Sequence, residues 1–385
     1  MRQWKIPLFE LDYTRRELRA ARGVVRSKWL TTGEKTREFE TKFATRISDS
    51  VSAVAVSNCT AALHLALLAL GVGPGDEVCV PAMTFVADAN VVALTGAKPV
   101  FLDSVSLDDP TVNPKDFSAK ITPRTKAVIV VHYAGFAADL STVSEICDTE
   151  NIAMVEDVAH GPFATFGGQS LGTFGDLACF SFFGNKNLVT GEGGMVVSSR
   201  ADLMEKVERL RSHGMTTLSY DRYKGRAVSY DVETPGLNYR TDEVRSALGL
   251  VQLSRMDEMQ ERRSSAYERY LDLLEEHEVP VAVPFRQWQR GRSAYHVFPV
   301  VLPSNASRSA VIKRMKEDGI QTSVHYPAIP SFSAYSGWGT ERTPVARAYG
   351  ERVLTLPFFP RIRPSQQKLV ITSLLGAVRA AAERS

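Results

Sequence analysis

Between residues 51 and 155 the chain repeats one pattern: a short apolar run, a turn, a helical stretch, and another apolar run. The runs span 51–56, 77–81, 98–102, 127–132 and 152–155. The helical stretches between them span 61–70, 85–94, 113–121 and 140–151. Runs of this length are strands. Strands that alternate with helices, and that are apolar on both faces, predict a mostly parallel sheet covered by helices. In such a sheet ligands gather at the carboxyl ends of the strands. That edge is where chemistry-bearing residues are expected.

Two more apolar runs, 177–182 and 195–197, flank a loop that holds Lys186 and the glycine-rich Thr190-Gly191-Glu192-Gly193-Gly194. The N-terminal part reads as helices at 13–27 and 38–47. After residue 201 the alternation lapses. Helices are expected at 203–212, 243–274, 309–318 and 366–381, strands at 295–302 and 321–326, and a polar, basic loop at 217–233. The expected architecture is a large α/β unit over residues 1–245 and a smaller α+β unit over residues 246–385.

Composition bounds the function. With 385 residues, 44% of them hydrophobic, the chain can build a large core. A net charge of +3 without a run of Lys or Arg gives no reason to expect nucleic acid. No apolar stretch is long enough to cross a bilayer, and the N-terminus has no apolar leader. Cys59, Cys79, Cys147 and Cys179 form no CxxC pair and no cluster with His. No metal site is expected, and free thiols point to the cytoplasm.

Several residues fall at strand ends. Lys186 lies between rigid runs among small residues, as a lysine that forms a Schiff base requires, or it is simply solvated. Ser57-Asn58-Cys59-Thr60 joins a strand to a helix start. It is an anion site, or an ordinary N-cap. It lacks the GxGxxG of a dinucleotide fold. Asp157 ends the run 152–155 and is placed to pair with a protonated pyridine nitrogen, the arrangement a pyridoxal phosphate enzyme uses, or to cap the next segment. Phe85 is positioned to stack on a flat ring or to join the core. Ser181 is placed to bond a phosphate or the backbone.

The chain resembles the DegT/DnrJ/EryC1/StrS family of sugar aminotransferases over nearly its whole length. The matching motifs are Trp29-Leu30-Thr31-Thr32-Gly33, the segment Thr60 to Leu67, Thr84 to Asn90, and Glu156-Asp157-Val158-Ala159-His160. They continue with Phe180-Ser181-Phe182, Lys186-Asn187-Leu188, Thr190 to Gly194, and Gly236-Leu237-Asn238-Tyr239-Arg240. The resemblance implies the type I pyridoxal phosphate (aspartate aminotransferase-like) fold. It implies that Lys186 carries the cofactor covalently, Asp157 holds the ring nitrogen and Phe85 stacks on the ring. Cys59, Thr60 and Ser181 would bind the phosphate. His160 would stand beside the 3-hydroxyl, where many relatives have glutamine. Asn238 would reach the phosphate in the neighbouring subunit, which implies a homodimer with shared sites.

On the substrate side the resemblance implies a nucleotide-linked keto sugar and L-glutamate as amino donor. Gly33 belongs to the substrate-side motif. Arg222, Lys224 and Arg226 are candidates for the pyrophosphate, and His325 and Tyr326 for the sugar pocket or for packing. Cys59 stands where relatives often have glycine, and Phe183 where many have histidine. The spelling Phe182-Phe183-Gly184-Asn185 before Lys186, with Gly191-Glu192-Gly193-Gly194 after it, resembles the perosamine-synthase branch, which aminates C-4 of 4-keto-6-deoxyhexoses. The alternatives are amination at C-3 or of a cyclitol, a dehydratase (disfavoured by Lys186), and a non-catalytic regulator that binds a nucleotide sugar.

Overall fold

Seven of the short apolar runs join in one sheet in the order β1-β9-β8-β5-β4-β2-β3. This is seen in a computed structural model that describes residues 4–217, 225, 229–338 and 342–382. The strands are β1 (Ser52–Val56), β2 (Glu77–Pro81), β3 (Lys98–Leu102), β4 (Thr125–Val131), β5 (Ala153–Asp157), β8 (Leu177–Ser181) and β9 (Gly194–Ser198). The pairs β2/β3, β2/β4, β4/β5 and β5/β8 are parallel. β9 runs antiparallel to β8 and to β1. Two short strands, β6 (Thr165–Phe166) and β7 (Gln169–Ser170), form a small hairpin between β5 and β8.

The strands are buried on both faces because neighbouring residues point to opposite sides of the pleat. Cys79, Val128, Val130, Met154, Ala178 and Phe180 face one apolar cluster, with Phe39 and Phe43 of helix α2 (Glu34–Ile47). Val78, Val80, Ala127, Ile129, Val155 and Cys179 face the other, under helix α3 (Cys59–Ala69). Burying one such Leu, Val or Phe side chain contributes about 1.5–3 kcal/mol. Most of α3 is buried, including Ala62, Leu63, Leu65 and Leu67. That is why its sequence shows little polar face. Asn58 caps it by accepting the Ala61 N–H at 2.8 Å.

The expected helix over 243–274 is two helices, Glu243–Leu253 and Met256–Glu276. No Gly or Pro marks the break. Arg255 lies at it, with its guanidinium turned inward to Glu17 and Asp12 at 2.9 Å each. The expected strand over 321–326 is not a strand. Only Ser323 pairs, with Thr355, and the segment then carries His325 and Tyr326 towards the sheet edge. The strand partner lies elsewhere: β10 (Phe298–Val301) runs antiparallel to β11 (Val353–Leu356). β11 and the helix Pro344–Arg352 before it were not expected from the sequence. The last helix spans Pro364–Ala382.

Candidate active site

The carboxyl ends of β5 and β8, the loops after them and the start of α3 open onto a cavity of about 630 Å³. It gathers Cys59, Thr60, Phe85, Asp157, His160, Ser181, Lys186, His325 and Tyr326. The turn at Asn58 enters α3, and the first N–H groups of a helix have no acceptor within it. Here those groups belong to Cys59 and Thr60, at the positive end of the helix dipole. β9 touches this turn. A Cβ on Gly194 would stand 2.6 Å from the Asn58 carbonyl carbon and 2.8 Å from the Cys59 nitrogen. Only glycine allows the strand to lie so close.

Asp157 ends β5 and is buried. Its Oδ1 accepts the Ala159 N–H at 2.8 Å and the Cys59 S–H at 3.9 Å. Burial raises its pKa, against the Ala159 bond and the charge on Lys186. Its neighbour Glu156 points to the other face and anchors the strand end. It accepts the N–H groups of Gly172, Phe174 and Gly175 and pairs with His132 Nε2 at 3.0 Å. Burial pushes its carboxyl up, but these bonds outweigh it and the net shift is downward. Lys186 follows a tight turn closed by its own N–H to the Phe183 carbonyl at 2.9 Å. Burial lowers its pKa from 10.5 to about 8, against the pull of Asp157.

His160 makes two hydrogen bonds that fix its tautomer. The Ala134 N–H donates to Nδ1 at 3.3 Å, so the ring proton sits on Nε2. Burial, and then the charge on Lys186, keeps the ring neutral. Nε2–H therefore donates to the Tyr326 hydroxyl at 3.0 Å. The Tyr326 hydroxyl, on a residue that lines the cavity, therefore keeps its own hydrogen for another acceptor. Phe85 is 53% exposed there, its ring 5.7 Å from that of Tyr326. The Ser181 hydroxyl is buried and accepts the Phe183 N–H at 3.4 Å. His325 bonds Thr355 at 2.9 Å, and burial lowers its pKa to about 4.

Two expected residues lie apart from the cavity of the single chain. Gly33 begins α2 against Trp29 and Glu243. Asn238 is exposed and pairs with Ser212. Arg222, Lys224 and Arg226 lie outside the described residues. Glu192 and Tyr239 line the cavity without having been singled out, and Asn58 of the expected anion turn lines it too. Tyr239 is held by His64 Nδ1 at 3.1 Å, and its signal was its place in Gly236 to Arg240. Among the described residues no cluster suits a metal ion. Among the described residues, no helix is long and apolar enough to cross a membrane.

Pyridoxal phosphate fits these residues. The cavity offers an amine on Lys186, a carboxylate on Asp157, an exposed aromatic face on Phe85 and the start of α3 for a phosphate.

Known proteins agree with this reading. The model of the DegT/DnrJ/EryC1/StrS aminotransferase family matches residues 12–375. The spore coat polysaccharide biosynthesis protein SpsC of Bacillus subtilis (strain 168) is 35% identical over 375 residues, 95% of each chain. The putative sugar aminotransferase Spr1654 of Streptococcus pneumoniae, in its apo-form, superposes with a TM-score of 0.92 at 28% identity, covering 99% of both chains. The aminotransferase TlmJ of Streptoalloteichus hindustanus superposes with a TM-score of 0.89 at 33% identity, covering 98% of this chain and 99% of that one. The chain therefore belongs to the DegT/DnrJ/EryC1/StrS aminotransferase family, as a pyridoxal phosphate-dependent aminotransferase of the type I fold.

Proposed function

We propose that this enzyme moves the amino group of L-glutamate to the C-4 keto carbon of a nucleotide-linked 4-keto-6-deoxyhexose, in amino-sugar biosynthesis. One observation carries the reading: a half-buried Lys186 on the cavity wall, its pKa lowered to about 8, shares a roomy cavity with Asp157 and the start of α3. The names of similar proteins support a sugar substrate, since SpsC is a spore coat polysaccharide biosynthesis protein and Spr1654 a putative sugar aminotransferase. The run Phe182-Phe183-Gly184-Asn185 before Lys186, which resembles the perosamine-synthase branch and places Phe183 at the cavity, supports the C-4 branch. Four free thiols support the cytoplasm.

When bound, pyridoxal phosphate supplies the carbonyl that carries the amino group and a ring that takes up the electron pair released at the donor's Cα. The chain's residues do the rest. Lys186 Nζ, once free, takes the Cα proton and returns it as general base and acid. A lysine with a pKa near 8 is suited to that, because both of its forms are populated near neutral pH. Asp157 would hold a cation at the ring nitrogen. The α3 start, with Thr60 and Ser181, would bind the phosphate, and Phe85 would stack on the ring. Asn238 completes the phosphate site from the neighbouring subunit of a homodimer. Tyr326, its hydroxyl bonded to His160, meets a substrate oxygen.

Incubation with glutamate and a panel of 4-keto-6-deoxy and 3-keto nucleotide sugars, with products placed by NMR, tests the reading. Amination at C-4 supports it. Amination only at C-3 redirects it to that branch, and no turnover of any keto sugar overturns it.

A further inference from the structure

Behind the cavity wall lies a carboxyl that the reaction does not use. Asp88 sits in the first turn of helix α4 (Ala87–Leu94), following Phe85, and its side chain is fully buried. It does not line the cavity. Its Oδ2 accepts the Thr84 hydroxyl at 2.6 Å, whereas its Oδ1 has no partner if both carboxyls are ionised. The carboxyl nearest to it is that of Asp157, close enough for a proton on either one to be shared between them. Lys186, Cys59, Cys179 and Tyr326 are the other titratable groups around it.

Two adjoining buried carboxyls cannot both be charged, because each would lie in a dry site beside a like charge. One proton must be shared, and the surroundings decide where it resides. Asp157 has the Ala159 N–H at 2.8 Å, the Cys59 thiol and the nearby Lys186 charge to stabilise an anion. Asp88 has one neutral hydroxyl. A proton on Asp88 Oδ1 also gives that orphaned oxygen a bond to make. The pKa directions agree: burial, and then Asp157, raise Asp88 well above the usual carboxylate range.

We propose that Asp88 is a positioning residue, a neutral carboxylic acid that donates its hydrogen to Asp157 and keeps Asp157 as the one anion of the pair. Asp157 is thereby oriented and held ionised to lower pH than it would be alone. The inference rests on the proposed role of Asp157 at the ring nitrogen. The protonation state of Asp88 is measurable without that role.

The test uses the holoenzyme and three variants: Asp88→Asn, which keeps a donor to Asp157; Asp88→Leu, which keeps the branched shape and removes the donor; and Asp157→Ala. Infrared difference spectra of wild type against Asp88→Asn are expected to show a carboxylic acid C=O band, sensitive to deuterium exchange, that the variant lacks. Cofactor affinity, measured by equilibrium dialysis against pH, is expected to fall on the acid side as Asp157 takes a proton. That limb is expected to coincide in wild type and Asp88→Asn. In Asp88→Leu it moves up by about one pH unit, as loss of a hydrogen bond to a charged acceptor implies. Absence of the acid band, or its survival in Asp88→Asn, overturns the proposal. So does an equal shift in Asp88→Asn and Asp88→Leu. If Asp88→Leu fails to fold, the band alone decides. If Asp157→Ala binds the cofactor as wild type does, the role of Asp157 falls, while the band still decides whether Asp88 is the acid.

Discussion

Lys186 is a base whose pKa falls from 10.5 to about 8 because the folded chain buries it. A lowered lysine pKa means more neutral amine at a given pH, so at pH 7 roughly a tenth of it is ready to attack a carbonyl. Stopped-flow absorbance of cofactor capture by the cofactor-free enzyme is therefore expected to rise with pH and level off above about 8. A rise that continues past pH 10 would show an unshifted lysine. Asp157→Ala strands the opposing cation and is expected to lower turnover by about a hundredfold or more, measured with saturating cofactor. Tyr326→Phe removes a cavity-lining hydroxyl that is bonded to His160. It is expected to raise the KM for the keto sugar about three- to tenfold, with the glutamate half-reaction unchanged. The places of Lys186, Asp157 and Phe85 at the cavity were legible because each follows an apolar strand at the sheet's carboxyl edge. Asp88 was not, because an acid in the first turn of a helix reads as a dipole partner. Its place beside Asp157 comes from β2 and β5 lying on either side of β4, far apart in sequence.

At the level of elements, the site depends on how closely β9 approaches the start of α3. Gly194→Ala sets a methyl against the Asn58 carbonyl and the Cys59 nitrogen. It is expected to push the turn outward and weaken cofactor binding at least tenfold, read by fluorescence titration, with the sheet intact by circular dichroism. The parallel strands and their helices were readable because short doubly buried runs alternate with helices. The smaller unit was less so. Residues 321–326 have the apolar and β-branched content of a strand, but the segment pairs only at Ser323 and gives its last side chains to the cavity. β11 is the partner instead, a four-residue run that is buried throughout and shows no alternation to read. The break in the helix at Arg255 comes from a tertiary ion pair with Asp12 and Glu17, which local sequence does not announce.

For the whole molecule we propose a large unit to about residue 245 and a smaller one from residue 246. The chain's own bend lies at the nearby break between Leu253 and Met256. The proposed homodimer predicts complementation. Lys186→Ala and Asn238→Ala are each expected to be impaired. Refolded together, they should regain about a quarter of wild-type activity, because half of randomly formed dimers are hybrids with one complete site. Analytical ultracentrifugation should show a dimer throughout. The account as a whole stands on Lys186 as the residue that carries the cofactor, and chemical trapping tests this most directly. The holoenzyme is reduced with borohydride, digested and mapped by mass spectrometry. The cofactor is expected on the peptide that contains Lys186, with none on that peptide after glutamate has been added to completion. Attachment to any other lysine, or to none, would contradict the account.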